Sequence, residues 1–361
     1  MTLTHPSNAI GVQRVAAGSE PIAPIERLPK WLLCVPIGLQ LFWLGARYGS
    51  VTLPTTLNPV IETGGLVGES KYSYLRLINA AFDALVAKSA LVAPGGDLEA
   101  ARRRAGLDFP LIAKPDIGWC GYGVRRIDDA EGLRAYQGAF PASASIILQA
   151  LALEPNEAGL HYVRAPGAAR GRLIALTIRH PPAVVGDGTS SVGSLVEANP
   201  RTRDKAEAYR EILAPAALAR VPVQGEQVIL TTVASTRIGG RYEDASNLIT
   251  DTLSDTVDAL CRSMNGFEYG RLDVRFRSTE DLRQGRFKII EINGAGSEAI
   301  QCWDPRLSLR AAFAGVFAKQ RELYQLAADA RRLGRRPLGI RAVLRAHFKQ
   351  QRLIRLYPPS N

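Results

Sequence analysis

The segment Tyr-Gly-Arg-Leu-Asp-Val-Arg-Phe (269–276) is followed, after a polar stretch, by Arg-Phe-Lys-Ile-Ile-Glu-Ile-Asn (286–293). The first alternates apolar with charged residues, the pattern of a strand with one buried face, and the two read as the strands of a hairpin. Side chains alternate faces along a strand, so Arg271, Asp273 and Arg275 share one face, and Glu291 shares a face with Asn293. Pairing the two as a hairpin with those faces together gathers Asp273, Glu291 and Asn293 beside two guanidiniums. Mg²⁺ prefers such oxygen donors and usually takes one or two carboxylates, with substrate phosphates completing its shell. The combination predicts a cation and phosphate site. Taken singly, each carboxylate would read as an ordinary ion-pair partner of a neighbouring arginine.

A second chemical segment is Phe109 to Val124, a short apolar run ending in Lys114-Pro115 and followed by Gly118, Gly121 and Gly123. Glycines let backbone amides wrap phosphate oxygens without side-chain obstruction, and a lysine at the start of the loop adds a point charge. The spacing matches neither a P-loop nor a dinucleotide fingerprint. Of the histidines only His161 and His180 lie in the body of the chain, neither has a companion motif for a Ser-His-Asp triad, and a hydrogen-bonded structural role is expected for both.

The elements that must position these residues are legible from pattern. Strands are predicted over 110–114, 145–149, 160–164, 172–179, 227–233, 269–276 and 286–292, and helices over 97–104, 244–264 and 307–333, with Gly266 and Gly334 just past two helix ends. This is a mixed α+β protein. Its 361 residues, 46% of them apolar, suffice for one large core or two modest ones. Cys34, Cys120, Cys261 and Cys302 lie far apart with no metal-ligand spacing, so reduced thiols and a cytoplasmic location are expected. The net charge of +11 is concentrated at one end: nine Arg or Lys residues and no acid follow Asp329. Residues 1–28 read as a disordered arm without a secretory signal, 29–95 as a short apolar segment and linker, 96–330 as the main domain, and 331–361 as a basic amphipathic tail. Trp31–Ala46 is shorter than the ~18–20 residues a spanning helix needs, which makes it a buried or membrane-surface element.

A Lys-Pro strand, a glycine-rich flap, and then far downstream an Arg-x-Asp strand and a Glu-x-Asn strand resemble the ATP-grasp superfamily. The order is similar to that of D-alanine–D-alanine ligases and of the ATP-grasp part of cyanophycin synthetases, over about two thirds of the chain. The resemblance implies two α+β lobes clamping ATP. Lys71 and Lys114 would contact phosphates, with Gly121, Tyr122, Gly123 and Val124 closing over them. Gln149 and Leu151 would form the adenine hinge, Glu157 (or its rival Glu154) would bind ribose, and Ile289 would pack on the base. Asp273, Glu291 and Asn293 would hold Mg²⁺, with Mn²⁺ an alternative, and Arg271 would stabilise the anionic transition state beside Lys114. Gly294 and Gly296 offer either amides for a substrate carboxylate or a tight turn.

The implied activity is an ATP-dependent carboxylate–amine ligase working through an acyl phosphate and releasing ADP and phosphate. The alternatives are an ATP-grasp phosphotransferase and a non-catalytic ATP-binding module. Expected partners are small-molecule carboxylates and amines. The region before Lys71 is too short for the full N-terminal domain of D-alanine–D-alanine ligases, and Trp119-Cys120 replaces serines in the flap, so substrate identity does not carry over. In the tail, Ile340, Val343, Leu344 and Phe348 recur at helical spacing among cations. The pattern fits a helix packed on the body, or peripheral contact at the inner membrane face, better than specific nucleic-acid binding.

Overall fold

The computed structural model describes residues 21–360. A four-stranded antiparallel sheet is built from β1 (Ser89–Val92), β2 (Leu111–Pro115), β3 (Arg125–Ile127) and β4 (Ile146–Ala150), in the order β1-β4-β2-β3. Helices Leu98–Arg104 and Ala130–Ala139 pack against it, burying Leu98, Leu111, Leu133, Tyr136 and Leu148 in one core. The Asp97 side chain accepts the Ala100 amide at 3.0 Å, starting the first of these helices as its cap residue predicts.

The second lobe is a five-stranded sheet. It holds β5 (Asn156–Val163) and β6 (Arg172–His180), and after a two-stranded ribbon of β7 (Ala183–Val185) and β8 (Gln227–Ile229) it is completed by β9 (Arg241–Asp244), β10 (Tyr269–Phe276) and β11 (Lys288–Asn293). The order is β11-β10-β5-β6-β9, all antiparallel. Helix Asp251–Ser263 covers one face through Leu253, Val257 and Leu260, against Leu160, Leu272 and Ile292. The N-terminal helix Lys30–Tyr48 and the long helix Leu309–Arg332 close another side around Leu44, Tyr269, Leu323 and Tyr324.

The fold is α+β with two lobes, as expected, and several boundaries differ from the sequence reading. The helix predicted from 244 begins at Asp251, because β9 takes residues 241–244. The strand predicted over 227–233 ends at Ile229. β1 precedes residue 96 and pairs with β4, so a boundary at 95/96 would cut the first lobe. Of the predicted disordered arm, residues 1–20 lie outside the described residues. Residues 21–28 pack on the body: Ala23 and Ile25 are buried against Ala312, and Glu26 pairs with Arg201 at 3.1 Å.

Asn58 joins the N-terminal region to β10. Its amide nitrogen donates to Gly64 O at 2.9 Å and Tyr269 O at 2.8 Å, and its oxygen accepts from the Glu268 and Tyr269 amides at 2.8 and 3.0 Å. The side chain is fully buried, so all four groups lose their partners together if it is truncated. Asn58→Ala is expected to lower unfolding free energy by about 2–4 kcal/mol, read from urea denaturation.

Candidate functional site

The lobes face each other across a cleft of about 430 Å³. Asp273 and Glu291 stand directly opposite in the β10–β11 register, and Asn293 stands opposite Arg271. The predicted cluster therefore forms. Arg271 grips Asp273 with two bonds of 2.6 and 3.0 Å, and Arg179 reaches the same carboxylate at 2.9 Å from β6. Burial pushes the Asp273 carboxyl up, but Arg271 and Arg179 outweigh it and hold the group below its ordinary range. Asn293 donates its amide to Asp273 at 3.3 Å and accepts from Lys71 Nζ at 2.6 Å.

Lys71 is placed by the first turn of a short helix, Lys71–Leu75, which Ser70 caps. Asp116, just past β2, accepts from the Ser70 hydroxyl at 2.8 Å and the Tyr72 amide at 2.9 Å, fixing that turn beside the Lys114 strand. The Lys71 ammonium lies 3.4 Å from Glu69 and 3.5 Å from Glu291. Burial pulls its proton affinity down, yet the two glutamates more than compensate and it stays charged. Lys114 donates to Gln149 Oε1 at 2.9 Å and Ile290 O at 2.7 Å, and burial leaves its proton affinity lowered.

Of the predicted residues, Lys71, Lys114, Gly121, Tyr122, Val124, Gln149, Leu151, Glu157, Arg271, Asp273, Glu291 and Asn293 all line the cleft. Two do not. Ile289 is fully buried in the second lobe's core, because the β10–β11 register shifts after Asp273 and Val274 pairs with Ile289. That bulge breaks the strand alternation that would put Ile289 on the face of Glu291, and Ile290 lines the cleft instead. Gly123 sits behind the flap with φ +73°, where a Cβ would meet Pro115 at 2.8 Å, and its carbonyl accepts the Tyr136 hydroxyl. Glu154 is also outside the cleft, while Glu157 pairs with Arg179 at 2.7 Å. Gly296 donates its amide to Gly65 O at 2.7 Å, and Ser297 N bonds Gly294 O, so this loop is the tight turn.

Sequence reasoning missed three contributors. Glu69 balances Lys71, and its position two residues upstream in Gly-Glu-Ser-Lys was the available signal. Tyr242 of β9 lies under Arg179, with the guanidinium 5.8 Å from its ring centre. The C-terminal helix Ile340–Ile354 brings His347, Gln350 and Gln351 to the cleft. The same segment holds the glycine flap: Gln350 donates to Gly118 O at 3.2 Å, Tyr357 to Ile117 O at 2.6 Å and Ser360 to Gly121 O at 2.5 Å. The tail thus packs on the body along this side. Arg237 adds a bond to Cys120 O at 3.0 Å and stacks 4.1 Å over Tyr122.

No nucleophilic triad competes with this site among the described residues. Burial pushes the Cys120 thiol up to about 12, so it is not a thiolate. His161, expected to be a hydrogen-bonded structural residue, is buried with neither ring nitrogen partnered, and burial keeps it neutral. His180 fits the expectation, bonding Glu243 at 2.9 Å. As to a cation, no group of three His, Cys, Asp or Glu is arranged for metal among the described residues. The candidate set of two carboxylates and an amide on adjacent strands has the hard-oxygen chemistry that Mg²⁺ requires.

The structure resembles solved ligases. D-alanine–D-alanine ligase from Bacillus anthracis aligns over 72% of this chain and 66% of its own, at 12% identity and TM-score 0.41. VanG D-Ala:D-Ser ligase from Enterococcus faecalis aligns over 73% and 62%, at 12% identity and TM-score 0.39. A bifunctional glutathione synthetase from Pasteurella multocida aligns over 70% and 36%, at 16% identity and TM-score 0.35. The chain thus spans less than two thirds of the length of these three proteins. No protein-family model matches it, and comparison with curated proteins gives no match.

Behind the 294–297 turn, Lys319 donates to Ser297 O at 2.5 Å and sits 5.5 Å from the Tyr269 ring. Burial lowers its pKa to about 8. Between about pH 8 and the ordinary lysine value the unfolded chain then binds more protons than the folded one, so folding stability rises with pH in that window. Denaturant unfolding is expected to show a gain of about 3 kcal/mol across it, relative to Lys319→Met, which lacks the titration.

Proposed function

We propose that this cleft binds Mg-ATP and ligates a small-molecule carboxylate to an amine. The observation that carries the reading is the convergence on one cavity of an oxygen-donor set, Asp273, Glu291 and Asn293, with four cations, Lys71, Lys114, Arg179 and Arg271. Buried charges on this scale need partners, and here each cation leans on a carboxylate or carbonyl that a polyphosphate could replace. The glycine flap lines the same cleft through Gly118, Gly121 and Tyr122. Ile112, Leu151 and Ile290 supply apolar surface that suits a purine, with the strand end after Gln149 as the hinge and Glu157, paired with Arg179, as the ribose ligand.

In this reading Asp273, Glu291 and Asn293 hold Mg²⁺, or Mn²⁺, whose charge offsets that of the phosphates. Lys71 and Lys114 fix the phosphate oxygens, and Arg271 neutralises the charge spread over the phosphoryl group. A substrate carboxylate oxygen bonds to the γ-phosphorus as the bond to ADP breaks, giving an acyl phosphate. The amine then attacks the acyl carbon, phosphate leaves, and the amine's proton passes to solvent. The protein's part is positioning and electrostatics.

The same machinery would serve phosphotransfer to a hydroxyl, and phosphate release that requires both an acid and an amine separates the two. A screen of amino acids and dicarboxylates for ATP-dependent ADP formation, with mass analysis of the product, tests the ligase reading. ATP binding without turnover across the screen would leave a binding module. Asp273→Asn and Glu291→Gln are each expected to lower Mg-dependent turnover about a hundredfold or more with the fold intact by circular dichroism. Lys114→Ala is expected to weaken ATP at least about tenfold while leaving adenosine affinity nearly unchanged, measured by calorimetry.

A further inference from the structure

Fourteen of the twenty-two exposed large apolar side chains among the described residues fall within residues 31–51 or 333–356. On the N-terminal helix, Trp31, Val35, Leu39 and Phe42 are 69%, 51%, 68% and 75% exposed. Their spacing of four, four and three residues makes one stripe along the helix. The opposite face is used: Leu44 is buried, Leu33 packs near Ala312, and Gln40 donates to Phe317 O at 3.0 Å. The helix therefore lies flat on the body with its apolar stripe outward.

The C-terminal helix repeats the arrangement. Ile340, Leu344 and Phe348, four residues apart, are 55%, 45% and 65% exposed, while Ala346 and Gln350 on another face are buried. The chain segments that flank the two helices are bonded to each other, Thr52 donating to Leu338 O at 2.6 Å and the Leu338 amide to Thr55 Oγ1 at 2.9 Å. Charge follows the same division. Residues 27–61 contain Arg27, Lys30 and Arg47 and no acid, and nine further cations and no acid follow Asp329. These two stretches hold the whole net positive charge, and the rest of the chain is within one charge of neutrality.

We propose that these two helices are a docking surface for an anionic lipid bilayer, lying in the headgroup plane with their apolar stripes buried. A bilayer supplies an apolar layer for tryptophan and leucine together with an anionic surface for the cations, and two weak contacts hold where one does not. No helix among the described residues is long and apolar enough to cross the membrane, in keeping with a surface position. A second copy of the chain would set cationic stretch against cationic stretch. Nucleic acid would satisfy the cations and leave the aliphatic stripes in water.

The test is co-sedimentation of the full chain with vesicles of phosphatidylcholine containing phosphatidylglycerol, against phosphatidylcholine alone, at low and high salt. Binding to the anionic vesicles at low salt is expected, at least about tenfold weaker on neutral vesicles or at high salt. Leu39→Glu/Phe42→Glu and Leu344→Glu/Phe348→Glu alter exposed side chains, and each pair is expected to reduce binding about tenfold with the melting temperature retained. Absence of binding at low salt overturns the proposal, as does unchanged binding by both variant pairs. A dimer in solution that Leu39→Glu/Phe42→Glu dissociates, without vesicle binding, also overturns it in favour of self-association.

Discussion

The arrangement of the second lobe depends on how Asp273 is paired. Its carboxylate is buried within the sheet, and an isolated ion there would cost several kcal/mol in lost hydration. Arg271 answers it from its own strand and Arg179 from β6, while Arg179 also engages Glu157 on β5. One chain of ion pairs thus crosses three adjacent strands. Register is fixed along with it, since a slip of one residue would turn Asp273 into the apolar core and bring Leu272 or Val274 into the cleft. Such a network stabilises little in net terms but excludes alternative pairings, because breaking any member leaves a buried charge alone.

The bulge in β11 serves the contact between lobes. By offsetting the strand between Glu291 and Ile289, it lets both Ile289 and Ile290 use their carbonyls toward the first lobe. Ile289 O accepts the Ala87 amide at 2.9 Å, and Ile290 O accepts both Lys114 and Gln149. A lysine that otherwise belongs to the four-stranded sheet is in this way held at the edge of the five-stranded one. The glycine-rich turns 64–65 and 294–296 complete the approach. A Cβ on Gly65 would lie 2.7 Å from Gly294 Cα, so the two backbones meet only where neither residue has a side chain.

Much of this was legible in the sequence because it rests on strict alternation. The faces of β10 and β11 gave Asp273, Glu291 and Asn293 together, and the run into Lys114 gave the flap. Alternation fails at a bulge: strict parity puts Ile289 on the face of Glu291, whereas in the structure Ile290 lines the cleft. Contacts at long separation leave no local pattern: nothing near Asn58 announces four bonds to residues up to 211 positions away. The tail was legible as amphipathic but not for what its inner face meets, since Gln350 and its partner Gly118 are 232 residues apart.

The C-terminal helix therefore has two faces with different demands. Gln350 is buried and bonded to the flap, and His347 borders the cleft, while Leu344 and Phe348 one turn apart point to solvent. A helix used only as a surface anchor would need no polar residue aimed into a cleft, and one used only to brace the flap would gain stability from charged residues in place of Phe348. The flap has a reason to be braced. Its glycines lose more conformational freedom on ordering than other residues would, and three side-chain bonds to its carbonyls from residues 350–360 oppose that loss. Because these bonds go to carbonyls, they compete for none of the flap's amides, of which those of Tyr122 and Val124 close the turn on Trp119 O and Gly121 O.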